Sequence, residues 1–356
     1  RVSGVLGEAD VFLMRGAHIS DLPAILELAA LLDSPNLPHD DAFLRRRIAR
    51  SERAFREPGP PGPEREYQFV LVDDGDAVVG TSAILSKHGT PEMPHLFLRV
   101  GEETRYSPST SVRVTHTTLQ LGASHDGPTE IGSLVLRPEA RGRPGWPGKL
   151  LSWGRFGFIA RKPGCFEKTV LAEMRAAIDA QGRSAFWDAF GRRFTGMSYT
   201  EADRRSAVDK SFVLDLFPAT PFYASLLDPD VAAQIGHVHD EAKPALRLLE
   251  QAGLHWQEEI DPFDGGPFVA APVAKIVPVQ QTVFGRLAQG APDESAPPAI
   301  LSTEEGGEFR AVAAAASREG GAIRVPKEAR KRLRLAIGDE IAWTPLPSSR
   351  GRGGDG

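Results

Sequence analysis

The chain has 356 residues, 41% of them hydrophobic, with a single cysteine and a formal net charge of −5 from 42 Lys and Arg against 47 Asp and Glu. This length exceeds the usual size of a single core, so we expect one large domain or two unequal ones. The charge gives no global reason for a nucleic acid or an anionic membrane as partner, and one cysteine excludes an intrachain disulfide framework.

The first third of the chain predicts a strand, two helices and a hairpin. Residues 1–11 read as a frayed leader before a strand at 12–15. Ser20 is typical of a helix N-cap, and a second helix is expected at 41–55, with its many arginines on a solvated face. After a Pro-rich loop, strands at 67–72 and 77–85 are joined by an Asp/Gly turn, which is a hairpin pattern.

The middle of the chain contains a strand, a loop of Arg and Gly, and a helix, after a first strand at 113–121. Pro138 ends the apolar strand and Lys149 opens the helix. Unpaired N–H groups and the dipole at a helix start bind anions, so this order favours a phosphate site. The strand contains Ile131, Leu134, Val135 and Leu136, and the loop contains Arg141, Gly142, Arg143, Gly145 and Gly148.

Several phosphate-binding designs are open at this loop. A nucleoside-triphosphate loop fails, because Arg143 replaces its first Gly and Leu150 replaces the hydroxyl that holds magnesium. A dinucleotide fingerprint is weak, because Gly142, Gly145 and Gly148 are spaced by three and lie mid-chain. An Arg-led Gly loop after a central strand resembles the pyrophosphate loop of acyl-CoA N-acyltransferases. The plain alternative is a surface loop with solvated arginines.

The rest of the chain predicts further α/β structure and a β-rich end. We expect a strand at 169–174, helices at 184–194 and 243–251, a C-cap at Gly253 and a linker or long loop at 291–298. Short strands are expected at 309–315, 322–325 and 340–343, and a disordered tail from residue 349. The fold class is therefore α/β (α+β) with a mixed sheet flanked by helices. We divide the chain into a catalytic region at 12–278, a small β-rich subdomain at 279–347 and a tail at 348–356.

Separated segments, in order, resemble the arginine N-succinyltransferase family over residues 12–275. They are Tyr67-x-Phe-Val-Leu71 with Val79 and Gly80; Arg99-Val-Gly101; Thr118-Leu-x-Leu-x-x-x-His125-x-Gly127; Ala172-Glu-Met-Arg175; Ser184-x-Phe-Trp187; Gly191-x-Arg-Phe194; Ala202 and Asp203; Ile235-Gly-x-Val-His239; and Asp261-x-Phe-Asp-Gly-Gly-Pro267. The loop between Arg141 and Lys149 is two residues longer than the family pattern.

The resemblance implies a GNAT-like acyl-CoA N-acyltransferase fold, succinyl-CoA as co-substrate and acylation of the α-amino group of L-arginine, with ornithine as a further acceptor. It also implies that His239 is the proton donor and that Leu134 contacts the acyl-CoA. The remaining donor contacts are expected at Leu136, Arg141, Gly142, Arg143, Gly145, Gly148 and Lys149.

Substrate contacts are hypotheses from chemistry. Arg175 suits the succinyl carboxylate by bidentate pairing, although an ion pair with Glu173 or Asp179 is the alternative. Asp264 and Asp203 suit the guanidinium of the acceptor, against the plainer interpretation of Asp264 as a turn residue. His125 matches a family position, and its alternative role is to fix a turn. No metal is expected, because His237 and His239 lack further ligands at a suitable spacing.

Two other functions are open. The same fold can use another acyl-CoA or amine, such as acetyl-CoA. The basic segment at 322–334 resembles small DNA-binding β-modules, although phosphate binding needs those charges on one face. We expect a cytoplasmic homo-oligomer or a pair with a related chain, without membrane or nucleic-acid partners, because no apolar run approaches the roughly 18 residues of a span.

Overall fold

The computed structural model describes residues 11–32, 36–179 and 181–347. The first ten residues of the expected leader and the tail expected at 348–356 lie outside these ranges. The described helices are α1 Leu22–Leu32, α2 Asp41–Arg56, α3 Pro147–Arg161, α4 Ala185–Ala189, α5 Gly191–Thr195, α6 Tyr199–Ser206, α7 Ser211–Leu216, α8 Pro229–Ala232, α9 Lys243–Gln251, α10 Val277–Gln281 and α11 Lys327–Leu333.

The described strands form one mixed sheet. They are β1 Leu13–Gly16, β2 Glu66–Val72, β3 Val78–Leu85, β4 His95–Ser107, β5 Val112–Ser124, β6 Thr129–Leu136, β7 Thr169–Glu173, β8 Phe222–Tyr223, β9 His255–Ile260, β10 Pro267–Pro272, β11 Val283–Leu287, β12 Pro298–Glu305, β13 Glu308–Ala315, β14 Ser317–Glu319, β15 Ala322–Arg324 and β16 Glu340–Pro345. Their spatial order is β14-β15-β11-β16-β12-β13-β1-β2-β3-β6-β7-β10-β9-β4-β5-β8.

Strand direction and helix placement confirm the predicted mixed sheet with flanking helices. β6 runs parallel to β7 and β11 runs parallel to β15, whereas the other pairs are antiparallel. α3 packs its apolar residues on one face of the sheet, against side chains such as Phe69, Ile131 and Val170. α1 and α2 cover the opposite face around Val70, Val72 and Val135. The two faces of the central strands are therefore both buried, which is typical of α/β layers.

Local sequence signals explain several element boundaries. Asp73 Oδ1 accepts the N–H groups of Gly75 and Ala77, both at 3.0 Å, which holds the predicted β2–β3 turn. The predicted C-cap Gly253 has a φ of 96°, the left-handed backbone that ends a helix without steric cost to glycine. The first helix starts differently from the prediction. A 3-10 turn at Ile19–Asp21 precedes α1, and Asp21 rather than Ser20 accepts the capping N–H, from His18 at 2.8 Å.

Two predictions in the middle of the chain are wrong in detail. The expected helix at 184–194 is two helices, α4 and α5, because Phe190 between them has φ −121° and ψ −78°, outside the helical range. The expected strand at 113–121 is longer, and its partner β4 was not predicted. β4 and β5 form a hairpin of 13-residue strands whose outer residues are mostly exposed on both faces, so no alternation of apolar residues marks them.

The C-terminal strands continue the main sheet. β13 pairs with β1, with Leu13 opposite Val312, and β12 pairs with both β13 and β16. The expected linker at 291–298 is a long loop between β11 and β12. Part of the basic segment is used within the molecule, since Arg332 binds Asp76 at 2.7 Å and Arg324 binds Glu319 at 3.4 Å. The division at residues 278 and 279 stays a prediction.

Candidate functional site

The central sheet opens between two parallel strands. β6 and β7 pair only at Thr129 with Val170 and at Glu130 with Leu171. β6 continues to Leu136 with β3 on its other edge. No strand pairing within the described residues joins β6 to β7 beyond Glu130. The free edge of β6 from residue 131 onward therefore offers backbone N–H and C=O groups to a bound molecule.

A bulge in β6 widens this opening. Gly132 pairs with Ala83 and Val135 pairs with Thr81, so Ser133 and Leu134 together stand opposite one residue of β3. Ser133 has a φ of 52°, which is strained for a residue with a side chain. Two residues opposite one define a β-bulge, which bends the strand and changes the direction of its side chains.

Ser133 is tied to α2 by a buried arginine. Its hydroxyl donates to the Asn36 carbonyl at 2.7 Å and accepts from Arg47 Nη2 at 3.1 Å. Arg47 is 6% exposed and forms a close ion pair with the buried Glu66. The prediction that the α2 arginines form a solvated face is therefore wrong for Arg47. A buried charge of this kind is stable only when it is paired and hydrogen-bonded.

The predicted donor-site residues lie on β6 and in the loop that follows it. Leu134 and Leu136 are partly buried against the core under α3. Arg141 Nε donates to the Leu136 carbonyl at 3.3 Å, and Arg143 stacks on the ring of Phe12 at 5.1 Å. Gly142 and Gly145 have φ values of 73° and 91°, so this loop needs glycine at both positions.

The start of α3 presents free backbone donors. The helix begins at Pro147, two residues before the predicted Lys149. The N–H groups of Gly148 and Lys149 donate to no acceptor in the described part of the chain, whereas Leu150 N–H binds the Trp146 carbonyl at 2.9 Å. Free N–H groups and the helix dipole together suit a phosphate.

The side chain of Lys149 is hydrogen-bonded within the protein. Its ammonium donates to the Pro347 carbonyl at 2.9 Å, and burial lowers the pKa of this amine. The backbone of Lys149, rather than its charge, is therefore the part that faces an anion at the helix start.

Arg155 links α3 to the β6 bulge. It is 2% exposed, and its Nη1 donates to the Gly132 carbonyl at 3.4 Å. No carboxylate among the described residues pairs with it, and burial lowers the pKa of its guanidinium to about 9. Sequence reasoning did not single out this residue, because an arginine in a helix is usually exposed.

His239, the predicted proton donor, lies at the end of β7. Its backbone N–H donates to the Arg175 carbonyl at 2.9 Å, and its Nδ1 accepts the N–H of Glu241 at 3.3 Å. The histidine therefore also caps the 3-10 turn at Asp240–Ala242. Because Nδ1 is an acceptor, the neutral ring carries its proton on Nε2, the atom that is available for donation.

Asp264 acts first as a turn residue. Its two carboxylate oxygens accept the N–H groups of Gly266 at 2.7 Å and Ala176 at 3.0 Å. A Cβ on Gly266 would lie 2.1 Å from the Met174 carbonyl, so only glycine allows this turn to reach the strand. The turn after β9 is thus bonded directly to the segment that carries Arg175.

Arg175 keeps part of its hydrogen-bonding capacity free. Nη1 donates to the Leu32 carbonyl at 3.0 Å, and its buried Nε has no acceptor among the described residues. The alternative ion pair with Glu173 or Asp179 is not formed, and Asp179 pairs instead with Arg183 at 2.8 Å. A guanidinium with an unused N–H beside His239 suits a carboxylate ligand.

A group of carboxylates surrounds the end of β7. Burial and then the charge of Asp261 raise the pKa of Asp264 to about 7 and that of Asp203 to about 6. Burial, Asp261 and Asp264 also raise the pKa of Glu173 well above its ordinary value. Such raised values mean that burial and the neighbouring carboxylates outweigh the positive charges near this group.

Sequence reasoning found Asp203 and Asp264 but missed Glu173 as a member of this group. A signal was present, because Glu173 is the one charged residue of the β7 segment Thr169–Glu173. Lys210 was also missed. It faces several of these carboxylates and lowers the pKa of Glu173 and Asp203, after the larger effects of burial.

His125 lies apart from this group. It is exposed in the turn between β5 and β6, where the neighbouring Asp126 pairs with Lys87. No hydrogen bond or ion pair between described residues joins it to Asp203, Asp264 or His239. Within residues 11–32, 36–179 and 181–347, no three His, Cys, Asp or Glu side chains are grouped as a metal site, and none of the helices there combines the length and hydrophobicity of a membrane span.

Comparisons with known proteins agree on one family. The model of the arginine N-succinyltransferase beta subunit matches residues 12–278, and the model of its C-terminal domain matches residues 282–345. The arginine N-succinyltransferase subunit beta of Pseudomonas aeruginosa is 36% identical over 95% of this chain and 99% of its own. The arginine N-succinyltransferase of Photorhabdus laumondii is 34% identical, over 85% and 89%.

A solved structure shows the same fold. The arginine/ornithine succinyltransferase subunit AI of Pseudomonas aeruginosa superimposes with a TM-score of 0.81 at 29% identity, and the match covers 96% of this chain and all of that one. The predicted GNAT-like fold and the family resemblance are both confirmed by these findings.

Proposed function

Because the chain belongs to the arginine N-succinyltransferase family and is an acyltransferase, we propose that it transfers the succinyl group of succinyl-CoA to L-arginine in arginine catabolism. The amine that becomes acylated is the α-amino group. The observation that best supports this is the opening beside β6, which has free helix N–H groups at one end and His239 with Arg175 at the other.

The donor is proposed to lie along the free edge of β6. The pantetheine amides pair with backbone groups near Leu134 and Leu136, while the pyrophosphate binds the N–H groups of Gly148 and Lys149. The loop supplies further contacts from Arg141, Gly142, Arg143 and Gly145. Gly142 and Gly145 give this loop its left-handed turns ahead of the helix start.

The chemistry follows from the available groups. The neutral α-amino nitrogen attacks the thioester carbonyl, the C–N bond forms and the C–S bond breaks. His239 donates the proton on Nε2 to the leaving thiolate and regains a proton from solvent, while the nitrogen keeps one proton and releases one as the amide forms. When the acceptor starts as an ammonium ion, the net reaction releases one proton. The site therefore needs a route by which that proton leaves, in addition to the group that protonates the thiolate.

The charged ends of the substrates suit the remaining side chains. Arg175, with its unused Nε, is assigned to the succinyl carboxylate. Asp203 is assigned to the guanidinium of the acceptor, and Asp264 supports it from the adjoining turn. Ornithine is a second acceptor to test, because the similar solved structure is that of an arginine/ornithine succinyltransferase subunit. His125 is a contact only if the substrate extends to the β5–β6 turn.

The chain is proposed to assemble with a second chain in the cytoplasm. A similar protein is named a subunit beta and another a subunit AI. Within the described ranges the outer edge of β5 pairs only with the two residues of β8, so most of that edge is available to a partner. Light scattering of the purified chain, alone and with a related chain, measures this directly.

The proposed function is tested by product identification. The purified protein is incubated with succinyl-CoA and a pool of amino acids, and mass spectrometry should find N-succinylarginine as the main product. Substitution His239→Ala should lower kcat by roughly 100-fold or more, as expected for loss of a general acid. The matched control is His237→Ala, an exposed histidine two residues away, which should keep wild-type activity. Absence of any succinylated basic amino acid would refute the proposal.

A further inference from the structure

A large aromatic side chain lies uncovered in the loop before α3, the loop that is two residues longer than the family pattern. Trp146 is 37% exposed. Within the described ranges its ring contacts no other aromatic ring and no cation, and its indole N–H donates to no acceptor. The other exposed tryptophan, Trp256, donates its indole N–H to the Glu259 carbonyl at 3.1 Å. Trp146 therefore combines an exposed ring with an unused N–H.

The backbone of Trp146 is fixed at the start of the helix. The residue directly precedes α3, and its carbonyl accepts the Leu150 N–H at 2.9 Å. Its φ of 54° and ψ of 44° are left-handed, a conformation that is rare for a bulky side chain. Pro147, which follows, has its φ locked by its own ring. The indole is thus attached to the first turn of α3, so its place relative to that turn is well defined.

The ring lies beside the groups that are proposed to bind the pyrophosphate. The unpaired N–H groups of Gly148 and Lys149 follow two and three residues after Trp146. Because neighbouring Cα atoms are about 3.8 Å apart, the Cα atoms of Trp146 and Gly148 are separated by at most about 7.6 Å. One short segment therefore carries both anion-binding N–H groups and an uncovered aromatic surface.

The shape of CoA decides which part of the molecule can reach this ring. Its pyrophosphate is joined on one side to pantetheine and on the other side to adenosine. The pantetheine side is proposed to follow β6 past Leu134 to the thioester. The adenosine then leaves the phosphates on the opposite side, next to the loop that carries Trp146. An exposed aromatic side chain and a nucleobase stack face to face, and indole has the largest such surface.

We propose that Trp146 stacks on the adenine of the CoA donor and so determines the affinity for donors that carry adenosine. The inference rests on the proposed function, because it adds a contact to the same donor. The reacting thioester lies at the other end of the ligand, so this contact is equally strong before and during the chemical step. An interaction of that kind lowers KM and leaves kcat unchanged.

The first test is Trp146→Ala in the full chain. Calorimetry should show an affinity for CoA that is weaker by about 10-fold, while kcat at saturating succinyl-CoA stays within about twofold. The melting temperature should change by less than about 2 °C, because the ring is exposed. Trp146→Tyr, which keeps an aromatic face, should lose no more than about threefold in affinity. Wild-type affinity in Trp146→Ala, or equal losses in the two variants, would overturn the inference.

A shortened donor separates stacking from a change in the shape of the site. The succinyl thioester of phosphopantetheine keeps the thioester and one phosphate but lacks adenosine. Trp146→Ala should lower kcat/KM for succinyl-CoA by about 10-fold and leave kcat/KM for the shortened donor at the wild-type value. Equal reductions for both donors would contradict the inference.

Fluorescence observes the contact directly. Stacking on adenine quenches indole emission, so CoA should quench part of the wild-type signal and phosphopantetheine should not. Trp146→Phe should lose most of the quenching by CoA. The matched control is Trp256→Phe, which removes the other exposed indole and should keep that quenching. Undiminished quenching in Trp146→Phe would show that the adenine does not lie on this ring.

The proposed function and this inference fail in different ways. If the wild type neither binds CoA nor uses succinyl-CoA, both fail. If the wild type uses succinyl-CoA and Trp146→Ala does so with an unchanged KM, the stacking contact alone fails.

Discussion

At the scale of single residues, the carboxylates of the site differ in their pKa values. Burial alone would raise the pKa of Glu130 but the hydrogen-bonded His88 lowers it, whereas burial and Asp261 raise the pKa of Asp203 to about 6. The two groups lie on different elements, β6 and α6, and both face Lys210. The same residue class can therefore offer a permanent negative charge in one place and a titrating one in another.

The raised pKa of Asp203 makes stability depend on pH. Between about pH 4 and pH 6 the folded protein keeps a proton that the unfolded chain has lost, so stability from this group is full below about pH 4 and is lost as the pH rises through 6. Asp203→Asn should therefore stabilise the unliganded protein at pH 8, by roughly 1–2 kcal/mol. Denaturant unfolding at pH 5 and pH 8 measures this.

The control for that prediction is Asp215→Asn, an exposed carboxylate on α7, which should change stability by less than about 0.5 kcal/mol at both pH values. An Asp203→Asn protein that is less stable than the wild type at pH 8 would contradict the assignment of an electrostatic penalty to Asp203.

Residues whose role depends on the local backbone are predicted from the sequence better than residues whose role depends on burial. The left-handed Gly142 and Gly145 lie in the predicted phosphate loop, and Asp264 forms the turn that its Gly-Gly neighbours indicate. His88 and Arg155 were missed because their contacts depend on strands and helices far apart in sequence. No local pattern marks a charged side chain that tertiary packing will bury.

At the scale of elements, the turn between β9 and β10 fixes the end of β7. Gly266 lies against the Met174 carbonyl, and Asp264 binds the Ala176 N–H. The backbone that carries Arg175 is therefore positioned by a neighbouring turn rather than by its own strand, which ends at Glu173.

This close approach predicts a large effect of one methyl group. Gly266→Ala would place a Cβ 2.1 Å from a backbone oxygen, so the turn must move, with a loss of about 2–4 kcal/mol and of most activity. The control Gly164→Ala has no heavy atom within 4 Å of its added Cβ and should leave the melting temperature unchanged. Equal melting temperatures for the two variants would show that the turn does not support the site.

Element prediction succeeded where periodicity was strong. The β2–β3 hairpin, α9 and the central strand β6 lie close to their predicted positions. β4 was missed because its outer residues, such as Glu102, Glu103 and Arg105, are polar on both faces of a protruding ribbon. The interruption of the expected 184–194 helix at Phe190 was missed because both halves of that helix keep apolar spacing. A change in the backbone torsions of one residue does not alter the composition of the sequence.

At the scale of the whole molecule, the sheet joins the two ends of the chain. β1 lies between β2 and β13, and α3 packs on β12 and β13 as well as on β3 and β6. The residues that follow position 281 therefore complete the layer on which α3 packs, and Lys149 at the start of that helix reaches the Pro347 carbonyl.

Removal of the C-terminal strands should destabilise the catalytic part. A chain that ends at residue 281 leaves one edge of β1 unpaired. It also exposes Phe69 and Phe158, whose rings contact Phe309 in the full chain. We therefore expect aggregation or a melting temperature lower by more than about 10 °C. Deletion of residues 348–356 alone is the control. A soluble shortened chain with the melting temperature of the full chain would contradict this prediction.

The place of β1 in the sheet also sets an order of events during synthesis. About 300 residues separate Leu13 from its partner Val312, and at translation rates of about 5–20 residues per second the ribosome takes roughly 15–60 s to supply that partner. For that interval the nascent chain carries β1 with one edge unpaired. Early docking onto β2 cannot complete the fold, so the full sheet closes only as the last strands leave the exit tunnel, and the waiting edge is the natural point for a chaperone to protect.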